Sequence, residues 1–599
     1  MTVDALGAAL PAVPLGFGLV GLLLRYRLRG LAATLGIGAA AVALVCAVAV
    51  ALRGARGPDQ GHVVAEFGRL PVTFGTWLDG PAGLVAVAVA AVAVCVQIYS
   101  VAYLHDDERY APYAAQVSLF TGAMLLVVVS GDLIALLVGW EVMGICSYLL
   151  IGHDRRLPEA PRAAVKAFLV TRVGDVGFLL GIVLLGLHAH SFRIADVFAA
   201  DLPAGTITAA CVLLLAGVAG KSAQFPLHTW LPDAMAGPTP ISALIHAATM
   251  VAAGVYVVAR LYPLFERSAA ALVVLAVMAS ITMLLGALSA LGQDDIKRVL
   301  AWSTVSQLGY MTGAIAVGAP AAALFHLLTH AAFKALLFLA AGAVIHAVGT
   351  NLMAGMGGLR TRMPVTFWTM SIGLGALAGV PPLAGFWSKD TILASATVAA
   401  SGAGPVPRGV AYLVFGSAVL TVPITAAYVV RLWRRTFFGA PSSSSAHDPA
   451  WAMRGPLVAL AVPAALLGLA GLRPGFGERL GSVEPVVHFA WPAVVALALL
   501  LAGGWVGWAW RGAAPAVLTQ AFYLDAVQDA LVTRPVVALA RLARRGDEGL
   551  VDGAVDGLGT AGTGLGGLLA RVHAAALPRA VTAVLGGAVL LAVVVVVAR

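Results

Sequence analysis

The stretch GVAGKSAQFPLHTWLPD, residues 217–233, breaks an apolar run with one lysine, Lys221, and two prolines, Pro226 and Pro232. A second stretch, GVPPLAGFWSKD at 379–390, has the same make-up, with Pro381, Pro382 and Lys389. A lone proline only kinks a membrane helix, because neighbouring groups re-satisfy the freed backbone. A break that also carries a lysine at membrane depth, found at corresponding places in two halves of a chain, points to inverted repeats and an ion path.

Outward from these breaks the chain is overwhelmingly apolar. Of its 599 residues 60% are hydrophobic and 11% charged, whereas a soluble domain carries about 25% charged residues. This excludes a soluble enzyme, a disordered chain and a nucleic-acid binder. The net charge of +9 belongs to loops of a membrane protein. A span needs about 20 mostly apolar residues. Sixteen such runs are present, at 5–25, 31–52, 81–103, 113–130, 132–151, 163–187, 206–225, 238–261, 269–291, 299–318, 321–347, 364–385, 408–430, 453–472, 487–510 and 580–598. The first continues into a span without a cleavable signal pattern. The expected fold class is an all-α polytopic membrane protein.

Loop charge sets the expected orientation. With the N-terminus outside, the loops RYRLRG (25–30), HDRRLPEAPR (153–162), DDIKR (294–298), GLRTRMP (358–364) and RLWRRTFFG (431–439) all face the cytoplasm, as the positive-inside rule asks. An even span count then puts both termini outside. Residues 511–579 do not fit the spanning pattern. Charged residues such as Asp525, Asp529, Arg541 and Arg545 recur at helical spacing there, which predicts an amphipathic helix lying along a surface. The glycine-rich run 557–567 is expected to interrupt or weaken it.

Lysine occurs only five times, at 166, 221, 297, 334 and 389, while the other 32 basic residues are arginine. Arginine stays charged in proteins, whereas a buried lysine can release its proton, so each lysine merits attention. Lys166 and Lys297 lie beside basic loops and are expected to set topology. Glu141, in the middle of span five, has no counter-charge within a turn; it needs a partner from another helix or it binds a proton, and Lys221 is the obvious partner. Arg172 and Asp175, i and i+3 in span six, are either a local structural pair or a tuning element. His246 in span eight is, taken alone, a polar core residue. His326, His330 and Lys334 fall at i, i+4 and i+8 in span eleven, a stack of about 12 Å on one face, suited to relaying a proton through water. Metal binding by the two histidines is the rival, with no carboxylate or cysteine beside them to support it. Lys389, next to Asp390, is either the outer end of a path or a snorkelling lysine. Cys46, Cys95, Cys146 and Cys211 lie in apolar runs and read as small buried hydrophobes, with no metal, no iron–sulfur cluster and no redox centre expected in this chain. The residues alone support a channel or carrier for protons or sodium ions.

At this point a resemblance enters. The segments GWEVMGICSYLLIGH (139–153), GKSAQFPLHTWLPDAMAGPTPISALIHAATMVAAGVY (220–256), THAAFKALLFLAAG (329–342) and PPLAGFWSKD (381–390) resemble the antiporter-like subunits of respiratory complex I, nearest of all the L subunits of bacterial NADH-quinone oxidoreductases. FYLDAVQDALVTRP (522–535) is similar to the start of the lateral helix of those subunits. The resemblance implies two inverted five-helix repeats, with helices seven and twelve broken, flanked by further spans and a lateral helix. In this chain that gives spans one to three within 1–112, repeats at 113–261 and 269–437, spans fourteen and fifteen within 453–510, the lateral segment at 511–579 and a last span at 580–598. It implies a proton path of Glu141, Lys221, His246, His326, His330, Lys334 and Lys389, tuned by Arg172, Asp175 and Asp390. It further implies membership of a proton-translocating NADH:quinone oxidoreductase in the bacterial inner membrane. NADH, FMN, iron–sulfur clusters and quinone would sit in partner subunits, and the antiporter-like subunit M would be the nearest neighbour, touched also by the lateral helix. The rivals are a subunit of a sodium/proton antiporter of the Mrp type, the equivalent subunit of a ferredoxin-dependent or hydrogenase complex, and a pure scaffold.

Overall fold

Apolar runs of this length satisfy their backbone by coiling into helices, the only open-chain solution in a bilayer. The computed structural model describes residues 3–24, 27–54, 57–59, 61–68, 70–440, 446–482, 491–573 and 577–598. They fall into two units, Met1–Val527 and Gln528–Arg599. Residues 25 and 26 of the first basic loop and 487–490 of the fifteenth expected span lie outside the described residues.

The first unit opens with α1 (Val3–Leu22), α2 (Arg29–Arg53), α3 (Gly80–Tyr103), α4 (Tyr110–Val129), α5 (Leu133–Ile151), α6 (Glu159–Ala189) and α7 (Ala204–Lys221). It continues with α8 (Thr239–Ala247), α9 (Met250–Arg260), α10 (Ala269–Gly292), α11 (Ile296–Ala316), α12 (Pro320–Val348) and α13 (Pro364–Ala378). The last of its main helices are α14 (Ala384–Val398), α15 (Arg408–Phe437), α16 (Trp451–Leu466) and α17 (Trp491–Ala509). Between α2 and α3 lies a small antiparallel hairpin, β1 (His62–Phe67) with β2 (Leu70–Phe74), a detail the all-helical reading did not include. Side-chain oxygens close the helix starts: Asp132 accepts from the N–H groups of Ile134 and Ala135, and Asp295 from those of Lys297 and Arg298, satisfying donors that have no partner within the helix.

Among the described residues fourteen helices are long and apolar enough to cross a membrane, with α8 and α9 counted together. The two remaining expected spans depart from that description for different reasons. Span ten is α11, a full helix rich in Ser, Thr and Gln, buried along its length apart from Arg298; shielded by other helices, it has no need of an apolar surface. Span twelve, expected at 364–385, is cut short. α13 ends at Ala378, Gly379 turns the chain at φ +93°, and a separate helix, α14, resumes at Ala384 carrying Lys389 and Asp390. The chain likewise leaves the helix after Lys221 and regains it at Trp230. A third interruption was not foreseen: expected span eight divides at Ala248 and Thr249.

Within the second unit the chain is helical without interruption from Gln528 to His573, through α18 (Arg534–Gly546) and α19 (Gly553–His573), with two wider π turns at Asp529–Thr533 and Asp547–Asp552. In α18 Leu539 and Leu542 fall on one face and Arg541, Arg544 and Arg545 on another. The glycine-rich run does not break the helix, which corrects the expectation. Each glycine costs about 1 kcal/mol against alanine, less than leaving a backbone N–H unpaired away from water. A final apolar helix, α20 (Leu577–Val597), follows.

Candidate functional site

Close packing of α6 on α7 creates the first cluster. A Cβ on Gly174 would lie 2.4 Å from the Ala216 carbonyl oxygen, so glycine is what lets the two backbones approach. Asp175, the next residue, thereby meets the last turn of α7, with its Oδ2 3.3 Å from Lys221 Nζ. Trp140 on α5 donates its indole N–H to Asp175 Oδ1 at 2.6 Å. Arg172, one turn earlier on α6, pairs with Glu141 and lies 3.9 Å from Asp175 Oδ2. The charges alternate in one row: Glu141, Arg172, Asp175, Lys221. The expected direct pairing of Glu141 with Lys221 is thus corrected. One face of α6 supplies a cation to α5 and a carboxylate to α7, because positions i and i+3 share that face. Gly144 on α5 keeps the space open, since a Cβ there would lie 2.6 Å from Lys221 Nζ and 3.2 Å from Arg172 Nη2. Asp175 and Lys221 are buried, while the Glu141 and Arg172 side chains are each 29% exposed.

The break after Lys221 leaves helix-end groups that other residues answer. Trp230 Nε1 donates to the Gly220 carbonyl at 2.8 Å, and Ser222, at the break itself, ties it to α9 by donating Oγ to the Val251 carbonyl at 2.7 Å. His246 is buried in α8 just before the unforeseen interruption, its ring 4.6 Å from that of Phe338, and neither ring nitrogen has a hydrogen-bond partner among the described residues. No proline or glycine signals that interruption. Its one mark is Thr249, whose Oγ1 donates to the Leu244 carbonyl at 2.5 Å. α12 packs at the same place, through the contact of Phe338 with His246.

The α12 stack is buried throughout. His326 meets Ser388 Oγ through Nδ1 at 2.9 Å and Gln307 Oε1 through Nε2 at 3.2 Å. With both its nitrogens engaged and its ring centroid 6.2 Å from that of His330, His326 is arranged for hydrogen bonding rather than for sharing a metal. Lys334 Nζ donates to Ser303 Oγ at 2.5 Å and to the Leu300 carbonyl at 3.1 Å. Lys389 Nζ donates to the Leu377 carbonyl at 2.6 Å, a group freed by the end of α13. Asp390 points elsewhere, as adjacent helix positions must; both its carboxylate oxygens are buried without a hydrogen bond among the described residues.

Several contributors were missed. Ser303 and Gln307 come from α11 and Ser388 from α14, residue types that carry no strong signal singly. All five lysines are buried, so the expectation that Lys166 and Lys297 only set topology is corrected. Lys297 Nζ donates to the carbonyls of Met235 and Gly237, at 2.5 and 2.8 Å. Lys166 pairs with Asp233 at 2.6 Å and with Asp525, and Arg298 holds Asp233 from the other side at 2.9 Å. The rarity of lysine was the available signal.

Residues 130–406, which contain every member of the row from Glu141 to Asp390, match the family described as NADH:quinone oxidoreductase/Mrp antiporter. Residues 65–114 match the N-terminus of NADH-ubiquinone oxidoreductase (complex I) chain 5. NADH-quinone oxidoreductase subunit L of Mycobacterium tuberculosis is 40% identical over 523 residues, covering 82% of this chain and 81% of that one. The chain belongs to the subunit L family of NADH-quinone oxidoreductases. The related NAD(P)H-quinone oxidoreductase subunit 5 of the Paulinella chromatophora chromatophore is 40% identical over 537 residues, 81% of this chain and 79% of that one. The subunit L fold extends to a solved Mrp complex from Dietzia sp. DQ12-45-1b, with a TM-score of 0.73 at 28% identity; the match covers 99% of this chain and 63% of the Mrp chain.

Proposed function

We propose that this chain is a proton-translocating membrane-arm subunit of an NADH-quinone oxidoreductase, moving protons along Glu141, Lys221, His246, His326, His330, Lys334 and Lys389. The observation that carries the reading is the buried row itself. Charged groups at membrane depth cost at least about 2.5–3.5 kcal/mol each on insertion scales, which a scaffold has no reason to bear. Buried polar atoms are ordinarily satisfied; those of His246, His330 and Asp390 that lack partners among the described residues suit hydrogen bonding through water.

Arg172 is the switch in this scheme. While Glu141 is ionised, Arg172 stays on it and Asp175 is left to hold the Lys221 proton. When Glu141 takes up a proton, Arg172 turns to Asp175 and weakens its hold. A full charge at about 4 Å is worth roughly 4 kcal/mol at an effective dielectric of 20, enough to release the proton toward His246, His330 and Lys334. Lys389, tuned by Asp390, controls release at the outer end. NADH, FMN, iron–sulfur clusters and quinone are assigned to partner subunits. The half-open Glu141–Arg172 pair suits burial against a neighbouring subunit, here subunit M, with the amphipathic α18 along it. The membrane is the bacterial inner membrane, with both termini outside.

In the assembled complex in proteoliposomes, Lys221→Ala is expected to lower the protons moved per electron while NADH-driven quinone reduction continues in part. A normal ratio overturns the scheme. The Mrp reading is favoured by the fold match and by a family description shared with Mrp antiporters. Mild isolation of the tagged chain separates the two readings: flavin-bearing and iron–sulfur subunits with quinone reductase activity should accompany it, whereas small membrane subunits without redox activity would identify an antiporter.

A further inference from the structure

A groove of about 660 Å³ opens between α13, α15 and α17. Its walls are mostly apolar, among them Leu374, Val430 and Leu501, and Trp505 and Trp508 line it too. Trp508 also lines an adjoining pocket of about 460 Å³ whose walls include Arg434, Arg435 and Arg511. An apolar slot thus runs, past a shared tryptophan, into a cluster of guanidinium groups. The cluster is under-neutralised. Asp294 answers Arg435 and, at 3.8 Å, Arg431, whereas no carboxylate pairs with Arg434 or Arg511 among the described residues. Arg434 spends Nη2 on the Trp510 carbonyl at 2.9 Å, its Nε is buried without a hydrogen bond among the described residues, and Arg511 and Arg435 both repel it.

We propose that this composite site holds an anionic phospholipid, its phosphate on Arg434 and Arg511 and an acyl chain in the groove. The chemistry selects such an occupant from both ends. Guanidinium groups match phosphate oxygens with charge-assisted, often paired hydrogen bonds, and a neutral lipid would leave the repulsion uncompensated. A free phosphate would leave the groove unfilled. Tryptophans gather at headgroup level, and the arginines belong to the loops expected on the cytoplasmic side, where anionic lipids attract basic residues.

The test uses the assembled complex, stripped of lipid in detergent and supplied with phosphatidylglycerol or phosphatidylcholine of the same acyl chains, bound lipid being counted on this chain by native mass spectrometry. The unaltered protein should prefer phosphatidylglycerol by about tenfold or more, since each arginine near a membrane surface contributes roughly 1 kcal/mol. Arg434→Gln with Arg511→Gln should remove the preference. Gly504→Leu tests the other end without disturbing the core, because a Cβ there meets only Val430 Cγ2, at 3.6 Å; it should reduce retention with the arginines intact. Equal retention of the two lipids, unchanged retention in Gly504→Leu, or displacement by inorganic phosphate alone would overturn the proposal.

Discussion

Gly144 shows how much of this site depends on an atom that is absent. Its missing Cβ leaves room for Lys221 Nζ and Arg172 Nη2 together. In Gly144→Ala the clash falls on the ends of two flexible side chains, so folding should survive while the spacing of the charge row changes. The expected outcome is a normally assembled complex whose proton yield per electron falls. Displacing reacting groups by about 1 Å can cost on the order of a hundredfold in rate; unchanged pumping would remove Gly144 from the mechanism. Lys221 itself was legible because lysine is scarce and stands at a break. Its partner was not. Asp175 reaches it only through the Gly174 contact, and a single sequence gives no measure of how closely two helices approach.

Among the elements, amphipathic and apolar runs were the easiest to read and the interruptions the hardest. The breaks after Lys221 and before Lys389 carry prolines and were visible. The one after His246 is held by Thr249 and by a neighbouring helix, and neither leaves a local pattern. Loops between elements hold chemistry of their own. His153, just past α5, meets Asp107, in the loop between α3 and α4, at 2.8 Å. Burial would raise the Asp107 pKa, but the Arg109 backbone N–H and His153 outweigh it, and the carboxyl is held below its ordinary 3.8. A lowered carboxyl contributes stability above its ordinary pKa and loses it as the pH falls through the lowered value. Asp107→Asn should therefore unfold at lower temperature than the unaltered chain at about pH 5, and the gap should narrow below the ordinary carboxyl value and close once the pH has passed below the lowered one. Thermal unfolding followed by tryptophan fluorescence at a series of pH values reads it; a gap that persists in acid would mean the contact works by shape rather than charge.

At the scale of the whole molecule, the five lysines mark how far the polar interior extends. Three belong to the proposed path; Lys297 secures carbonyls beyond it, and Lys166 ties α6 to Asp525, 359 positions along the chain. Span counting made the architecture legible because nearly every helix announces itself by hydropathy. α11, counted among the spans at 299–318, is less apolar than the fourteen candidate spans, with a consequence for biogenesis. A segment too polar to partition into lipid by itself is disfavoured when it leaves the ribosome, and it becomes comfortable only once other helices shield Ser303, Gln307 and Thr312. A nascent chain ending just after α11 should therefore leave that helix outside the bilayer, and one extended through α12 should draw it in. Glycosylation tags placed at each truncation point would register the change of side, and the helix that supplies Lys334 with its hydroxyl partner would enter only together with the helix that carries Lys334.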